Sequence, residues 1–517
     1  MKLNYKRTIL VGFAFFLISA FWQAYDATIP VILTNKFGMS QGWSGVIMAL
    51  DNILAVFMLP LFGALSDKCR SKHGKRTPFI TIGTIIAAVA ILALSFVDNA
   101  QLRNIEAVAN IDDPASLTVI YDTQKDQKLQ TPEGEAFVLS EIYTQEEFVQ
   151  IRTEDTVQVG DKTISPYTNY VVPARQAYAA AATADDSTPL LLFVGLLLVI
   201  LVAMATFRSP AVALMPDVTV KPLRSKANAV INLMGTAGGI LVLVLGIVFA
   251  TSSVKNQLMS YNVYYAVIAG LMLASLVVFL ATVREPAWSA QMRDDSIAYG
   301  IEEEEVVDGQ KRKLTKGEIR SLIFILASIA LWYFGYNAVT SKYSVYAGNI
   351  LNMDYNTTLL IAQGAAIVAY LPAGMVASKI GRKKTIMAGI VMLTTAFGAA
   401  SFLRAGSSVM LMNVLFAMAG IGWATINVNS FPMVVELCSG GDIGKYTGFY
   451  YTASMSAQIV TPMLSGFLMD LDNVGMTILF PYAAVFAGLA FLTMAMVKHG
   501  DAKPEAKKGL EALDIDD

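Results

Sequence analysis

Gly63-Ala-Leu-Ser-Asp67-Lys-Cys-Arg-Ser-Lys-His-Gly74-Lys75-Arg76 is the stretch that decides the fold, because it joins two apolar segments of membrane length through a short basic turn. A shorter version, Gly374-Met-Val-Ala-Ser378-Lys-Ile-Gly381-Arg-Lys-Lys384, joins two further apolar segments. An offset of 311 residues superposes these turns, and it also superposes Tyr25-Asp26-Ala27 on Tyr336-Asn337-Ala338. Two coincidences at one offset indicate a duplicated membrane bundle, an organisation typical of transporters.

The composition indicates a polytopic membrane protein. Of the 517 residues, 55% are hydrophobic and 15% charged, whereas soluble proteins carry about 25% charged residues. About 20 apolar residues span a bilayer, and such segments must be helices because an open strand in lipid leaves backbone groups unpaired. The sequence predicts twelve of them, at residues 8–34, 42–66, 78–98, 189–214, 226–251, 259–283, 319–347, 356–379, 384–404, 407–436, 445–469 and 476–498.

The basic residues set the predicted orientation. Turns after the second, fourth, sixth and eighth segments are rich in Lys and Arg, whereas the short turns after odd-numbered segments are nearly bare and hold Lys36, Lys255 or Arg404. The positive-inside rule then places both termini in the cytosol of a cell-membrane protein. The predicted parts are helices 1–3 (1–98), an extracellular inserted domain (99–188), helices 4–6 (189–283), a cytosolic linker (284–318), a C-terminal bundle of helices 7–12 (319–498) and a cytosolic tail (499–517).

Residues 99–188 interrupt the series of short turns with a polar, acidic stretch. A structureless loop of this length would be unusual. Strand-like runs occur at 117–121, 136–139 and 156–164, the last around a Gly160-Asp161 turn, and 175–184 is Ala-rich and helical in character. We predict a small extracellular α/β insertion, which acts either as a lid or substrate-capturing part or as a bystander in shielding or assembly.

Asp26 is the sharpest candidate site because it lies midway along the first apolar segment. A carboxylate at that depth is costly unless it faces a cavity or a partner. Trp22, Gln23 and Asp26 share one helix face, and together a ring, an amide and an acid suit a sugar, since the ring stacks while the polar groups bond hydroxyls. The structural alternative is an acid paired permanently with a buried base.

Asp51-Asn52 in the second segment is the next candidate, with a structural hydrogen bond between helices as its alternative role. Cation coupling is assigned to Asp26 and Asp51. The seventh segment mirrors the first, but Asn337 stands where the first has Asp26. This asymmetry fits one half that handles the cation and another that contacts only the substrate. Lys342, five residues further on, either pairs with an acid or extends its amine outward to the membrane surface, and the outward orientation is favoured.

Polar residues recur at helical spacing on the fifth, tenth and eleventh segments. Each stripe alone is also typical of helix packing, but together they predict a polar central cavity. The predicted substrate-binding residues are Trp22, Gln23, Tyr25, Asp26, Asn52, Asn232, Tyr333, Tyr336, Asn337, Gln363, Trp423, Asn427, Tyr446, Tyr450 and Gln458.

Charged residues at the cytosolic turns form a second predicted group. Ion pairs between these turns would latch one face of the protein shut, although basic loops also occur as a plain topology signal. The predicted members of this cytosolic gate are Asp67, Arg70, Arg76, Asp217, Arg224, Arg382 and Glu436.

At these residues the chain resembles the major facilitator superfamily across all twelve segments. The turn Gly63-x3-Asp67-Lys-x-Arg70-Ser-Lys-x-Gly74-Lys-Arg-x-Pro78-Phe79 resembles that of glycoside–pentoside–hexuronide:cation symporters, and the sucrose and proton–sugar carrier branch is most similar. The resemblance implies two six-helix halves, a central sugar site and alternating access driven by H+ or Na+. Sucrose carriers place an arginine where this chain has Val212, with Arg208 one turn before.

These observations predict proton-coupled symport of a small sugar, a disaccharide or other glucoside, by a monomer in the bilayer. H+ is the expected coupling ion, Na+ is the alternative, and no cofactor, metal, catalytic residue or nucleic-acid partner is expected. A Na+-coupled sugar symporter, an exporter of metabolites or drugs and a non-transporting sugar sensor remain open. The sequence contains no nucleophile–base pair, metal-ligand cluster or phosphate loop, which argues against an enzyme.

Overall fold

The computed structural model describes residues 3–159, 162–220, 223–298, 314–435, 437 and 443–499. Within them, nine helices are long and apolar enough to cross a membrane by length and composition. The helices are α1 (Tyr5–Asn35), α2 (Gln41–Lys68), α3 (Thr77–Asn104), α4 (Glu106–Ala109), α5 (Pro114–Gln124), α6 (Leu139–Ile142), α7 (Gln145–Phe148), α8 (Val172–Asp185), α9 (Thr188–Asp217), α10 (Arg224–Val248), α11 (Asn262–Thr282), α12 (Glu285–Ala298), α13 (Lys316–Tyr346), α14 (Tyr355–Ile380), α15 (Arg382–Ala400), α16 (Val409–Val435), α17 (Ile443–Met469) and α18 (Leu479–Ala495).

α1 and α13 display the sequence offset as matching helices. Each has 31 residues, and their first residues, Tyr5 and Lys316, are 311 positions apart. Each also begins at a capping side chain: the amide oxygen of Asn4 accepts from the backbone N–H of Arg7, and Thr315 forms a capping box with Glu318. Such caps satisfy backbone donors that have no partner within the helix.

Two separate hydrophobic cores hold the long helices. One core unites α1, α2, α3, α9, α10 and α11, which we call the first bundle. The other unites α13 to α18, which we call the second bundle, and it also takes in Ala27 and Val31 of α1. The second half of α1 therefore packs against both bundles, so its polar residues lie near their boundary.

The bundles pack closely at one end of the molecule, where α1 ends and α2 begins. We call this the insertion end, and the opposite end, with residues 69–76, the turn end. A Cβ atom at Gly45 of α2 would lie 2.6 Å from the carbonyl carbon of Pro462 of α17. The amide of Asn356 donates to Thr251 at 3.1 Å, which joins α14 to the end of α10. The molecule is therefore shut at the insertion end.

Residues 105–187 form a folded insertion with its own hydrophobic core. Besides short helices it has two antiparallel hairpins, β1 (Leu129–Gln130) with β2 (Ala136–Phe137) and β3 (Val157–Val159) with β4 (Lys162–Ile164). The Gly160-Asp161 turn predicted for the second hairpin lies outside the described residues. The Ala-rich run predicted to be helical lies within α8.

The strand predicted at 117–121 is wrong, since these residues lie in α5. Asp113 caps this helix and Pro114 occupies its first turn, a pair of start signals that outweighs the β-branched composition. Leu117, Ile120 and Tyr121 are buried on one face, at the three- and four-residue spacing of a helix. The third apolar helix also continues to Asn104, beyond its predicted end at residue 98.

Candidate functional site

A cavity of about 520 Å³ lies between the two bundles. Its volume falls within the range of about 300–1,000 Å³ found for small-molecule sites. Helices α1, α9 and α10 line it on one side, and α13, α14 and α16 on the other. Seven predicted residues lie on its wall, namely Trp22, Gln23, Asp26, Asn232, Tyr336, Gln363 and Trp423.

Asp26 is half-buried on the cavity wall, and the α1 periodicity places Trp22 and Gln23 beside it. Among the described residues, no basic side chain lies within ion-pair distance of its carboxylate, and no hydrogen bond satisfies it. The carboxylate therefore faces space that a ligand or water can enter. That surrounding suits a group that exchanges a proton and contacts a substrate.

Asp51 lies near this acid but outside the cavity wall. Its carboxylate accepts a hydrogen bond of 2.7 Å from the amide of Asn52, and neither side chain lines the cavity. It is close enough to interact electrostatically with Asp26 and with Arg208 of α9. The two predicted coupling acids thus form one electrostatic group, with only Asp26 in contact with the cavity.

Aromatic rings form two walls of the cavity. Tyr336 and Trp423 of the second bundle stack with ring centroids 3.7 Å apart and planes at 5°. Tyr333 packs its edge against Trp423 from behind, at 5.3 Å. On the first bundle, the guanidinium of Arg208 lies 5.8 Å from the centroid of the Trp22 ring. Flat rings on both sides favour a ligand with broad C–H faces.

Polar groups between the rings are partly unsatisfied. The amide of Gln363 donates to Gln23 at 2.6 Å, which joins the two bundles across the cavity. Trp22 Nε1 and Ser344 Oγ belong to residues of the cavity wall, are buried, and have no hydrogen-bond partner within the described chain. Buried polar atoms normally have a partner, so these two atoms are hydrogen-bonding capacity beside the cavity that the described chain does not use.

Several predicted site residues lie away from the cavity wall. The hydroxyl of Tyr450 bonds to Ser430 at 3.2 Å, and the side chain of Asn427 lies beside that of Tyr370, so their stripes join neighbouring helices. Helix packing, the alternative reading of these stripes, accounts for both contacts. The predicted residues outside the wall are Tyr25, Asn52, Tyr333, Asn337, Asn427, Tyr446, Tyr450 and Gln458.

Sequence reasoning did not assign Arg208, Tyr370 or Ser344 to the site, although all three line the cavity. A signal for Arg208 was present, because it is the only charged residue between positions 188 and 216. A charge in such an apolar helix is expected to face a protein interior or a cavity. Tyr370 and Ser344 gave no comparable signal, since single hydroxyl residues are common in membrane helices.

Two lysines at the insertion end are fully buried. Lys36 pairs with Asp98 at 2.6 Å and also donates to the carbonyl of Met259 at 2.8 Å, so its charge is satisfied within the first bundle. Lys342 donates to the carbonyl of Gln41 at 2.6 Å. The prediction that Lys342 extends outward is therefore wrong, because a backbone acceptor of α2 lies within its reach across the bundle boundary.

Charged residues at the turn end tie together helices of one bundle. Arg76 bonds to Asp217 at 2.7 Å and to Asp67 at 2.5 Å, which joins the ends of α2, α3 and α9. Burial opposes the charge of Arg76, but the two carboxylates outweigh it and raise its pKa. Glu285, which sequence reasoning missed, accepts from the backbone N–H of Thr77 at 2.8 Å and so caps α3.

The structure describes the side chains of two of the other predicted gate residues, Arg70 and Arg382. Arg70 is exposed, and Arg382 begins α15 with a half-buried side chain. Glu436 and the side chain of Arg224 lie outside the described residues. The described pairs of this group thus brace the first bundle internally.

A family model for the Major Facilitator Superfamily matches residues 176–369 and 358–514. These ranges together cover more than half of the 517 residues. The chain belongs to the Major Facilitator Superfamily. A second family model, for the MFS/sugar transport protein family, matches residues 10–102, which include most of α1 and the first basic turn. This superfamily protein is therefore a multi-pass membrane protein, and the predicted resemblance is confirmed.

Curated relatives of this superfamily member match it over short stretches. A sucrose transport protein of Arabidopsis thaliana is 32% identical over 74 residues, 14% of this chain and 14% of the relative. A second sucrose transport protein of that plant is 36% identical over 76 residues, 15% of this chain and 13% of the relative. The chain thus spans about one seventh of the length of these relatives. The similarity of the matched stretches agrees with the predicted likeness to the sucrose branch.

A solved transporter structure shares the fold along nearly the whole chain. The inward-open conformation of the xylose transporter XylE from E. coli aligns with a TM-score of 0.57 and 14% identity, over 99% of both chains. At this identity the likeness establishes the fold alone. The helices of this superfamily member are therefore arranged as in that transporter.

Proposed function

We propose that this chain is a secondary active transporter that carries a small sugar, a disaccharide or other glucoside, together with protons. The observation that supports this proposal best is the cavity between the bundles, with aromatic rings, unsatisfied polar atoms and the unpaired carboxylate of Asp26 on its wall. Rings stack on sugar faces, and a site built to hydrogen-bond hydroxyls rejects ligands that lack them. Partial matches to two sucrose transport proteins support the same substrate class.

In this proposal the protein works by alternating access. Twelve helices cross the cell membrane in two pseudo-symmetric bundles of six, with both termini in the cytosol and the α/β insertion outside. The closed insertion end then corresponds to a state shut toward the outside. The transporter acts as a monomer and needs no cofactor besides its coupling ion.

Asp26 is the proposed proton carrier and sugar contact, and Asp51 is its electrostatic partner. Protonation neutralises Asp26, so the loaded cavity crosses between the two open states without an exposed charge in an apolar surrounding. Coupling requires that proton and sugar together favour a switch that neither favours alone, which is a difference in affinity between states. Trp22, Tyr336 and Trp423 supply stacking surfaces, while Gln23 and Gln363 open their mutual bond to meet hydroxyls.

The test is uptake of labelled sugars by purified protein in proteoliposomes. We expect an inward proton gradient to drive accumulation above equilibrium, and a sodium gradient at fixed pH to have no such effect. Accumulation driven by a sodium gradient alone would show that the coupling ion is Na+ and not the proton. Failure of every mono- and disaccharide to move under either gradient would contradict the proposal.

A further inference from the structure

The turn between β1 and β2 of the insertion docks on the second bundle, although the insertion belongs by chain connection to the first. Asn473 donates its backbone N–H to the carbonyl of Gly134 at 2.8 Å, and Met476 donates to that of Pro132 at 2.7 Å. The amide of Gln130 donates to the carbonyl of Leu471 at 3.2 Å. The same amide also donates to the carboxylate of Asp472 at 3.3 Å. Four hydrogen bonds thus join residues 129–137, which we call the strap, to the loop between α17 and α18.

An ion pair adds a second attachment to the same bundle. Glu133 of the strap lies 3.2 Å from Arg404, in the loop between α15 and α16. Their side chains are only 18% and 28% exposed, so solvent screens this pair less than a fully exposed one. The strap therefore contacts two separate loops of the second bundle.

The backbones of the strap and its receiving loop are shaped for close approach. Gly134, Asn473 and Gly475 have positive φ angles of 92°, 62° and 59°. A Cβ atom at Gly134 would lie 2.6 Å from the backbone nitrogens of Val474 and Gly475, closer than side-chain carbons come to other atoms. Glycine is required at this contact for both space and conformation.

The remainder of the insertion is fixed to the first bundle. The amide of Gln176 donates to Asn35 at 2.7 Å, and that of Gln101 in α3 donates to Thr183 at 3.0 Å. Glu154 pairs with Lys255, in the turn between α10 and α11, at 3.1 Å. The insertion therefore holds the first bundle through several contacts, and it reaches the second bundle through the strap and where residues 167–171 approach residues 347–351.

The strap lies beside the contact that shuts the insertion end. Asp470, which immediately precedes the receiving loop, accepts hydrogen bonds from the backbone of Gln41 at 2.8 Å and Gly42 at 2.7 Å. These bonds cap the start of α2, and Lys342 binds the carbonyl of Gln41 from the same side. Separation of the bundles at this end must break the contacts at Asp470 and those at the strap together.

We infer that the strap is a clasp that holds the insertion end shut and must leave the second bundle before this end opens. In a transporter it stabilises the state closed at the insertion end and so sets how often the cavity reaches the other side. This inference rests on the proposed function only for its effect on transport. The clasp itself is a property of the fold.

Cross-linking tests the clasp directly. Glu133→Cys with Arg404→Cys, in a background with Cys69→Ser and Cys438→Ser, allows a short bifunctional methanethiosulfonate to fix the strap to the second bundle. We expect this cross-link to stop sugar uptake and a reductant to restore it. The matched control is Glu154→Cys with Lys255→Cys, which fixes the insertion only to its own bundle and should leave uptake unchanged. Full uptake with the Glu133–Arg404 positions cross-linked would overturn the inference.

A second measurement needs no sugar and so separates failure of the clasp from failure of the proposed function. Ser44 of α2 is fully buried at the closed end, and Ser44→Cys reports its opening through the rate of maleimide labelling. Gln130→Ala with Glu133→Gln should increase this rate about threefold, the effect of removing partly exposed polar contacts. Glu154→Gln should not change it. An unchanged rate in the strap variant would overturn the inference even if the protein transports sugar.

Discussion

Asp98 and Asp26 have opposite surroundings, and the difference separates structure from function. Asp98 is fully buried and paired with Lys36, whereas Asp26 lies on the cavity wall without an ion-pair partner among the described residues. A permanent pair between a buried acid and a buried base was the structural alternative considered for Asp26. The structure contains such a pair at Asp98, so permanent pairing with a buried base describes Asp98 and not Asp26.

Removal of one partner from that pair should destabilise the fold. Lys36→Met leaves the carboxylate of Asp98 buried without its cation, and such changes cost about 3–5 kcal/mol of unfolding free energy. Lys36→Met with Asp98→Leu removes both charges and should cost less than the single change. Denaturant unfolding in detergent measures both values. A single variant as stable as the unaltered protein would contradict the structural role assigned to the pair.

The stacked rings of the second bundle should contribute to sugar affinity. Trp423→Ala removes one ring of the Tyr336–Trp423 stack from the cavity wall. Aromatic contacts contribute about 0.5–1.5 kcal/mol beyond buried area, so we expect about a fivefold loss of affinity in a direct binding assay. Trp288→Ala on α12, outside the cavity, is the matched control. Equal affinities for the two variants would show that the ligand does not stack there.

Among the helices and strands, the long apolar segments, the second hairpin and α8 were predictable from sequence, whereas α5 was not. The pairing of α1 with α13 follows from the 311-residue offset in the sequence alone. Their length was predictable because a membrane requires helices of defined length. The strand predicted at 117–121 is wrong because the helix cap at Asp113 outweighs the strand-forming composition of these residues. The polar stripes on α16 and α17 indicated which residues share a helix face, but not which helices that face contacts. Asn427 and Tyr450 were therefore assigned to a cavity that they do not line.

Close packing of α2 on α17 should control the equilibrium between open and closed states. Gly45→Ala places a methyl group against the backbone of Pro462, which cannot move as a side-chain end can. We expect the helices to separate and a buried reporter on α17, Ser465→Cys, to label faster with maleimide. Gly364→Ala in α14 faces open space and serves as the control. Identical labelling in both variants would show that this contact does not hold the end shut.

In the whole molecule, the candidate site arises only where the bundles meet. Gln23 and Gln363 are 340 positions apart in the chain yet share a hydrogen bond across the cavity. Sequence patterns identified residues on both sides, but not which of them approach each other, because that depends on the conformational state. The strap was equally unforeseen, since its contacts are mostly made by backbone groups that every residue carries.

The central claim is that Asp26 couples proton movement to sugar movement through this cavity. The most direct measurement is the pH change outside proteoliposomes, recorded with a pH-sensitive dye when sugar is added without a pre-formed gradient. We predict that sugar causes alkalinisation with the unaltered protein. We further predict that Asp26→Asn abolishes this signal while sugar exchange across the membrane continues. Sugar-driven proton uptake of full size in Asp26→Asn would contradict the account.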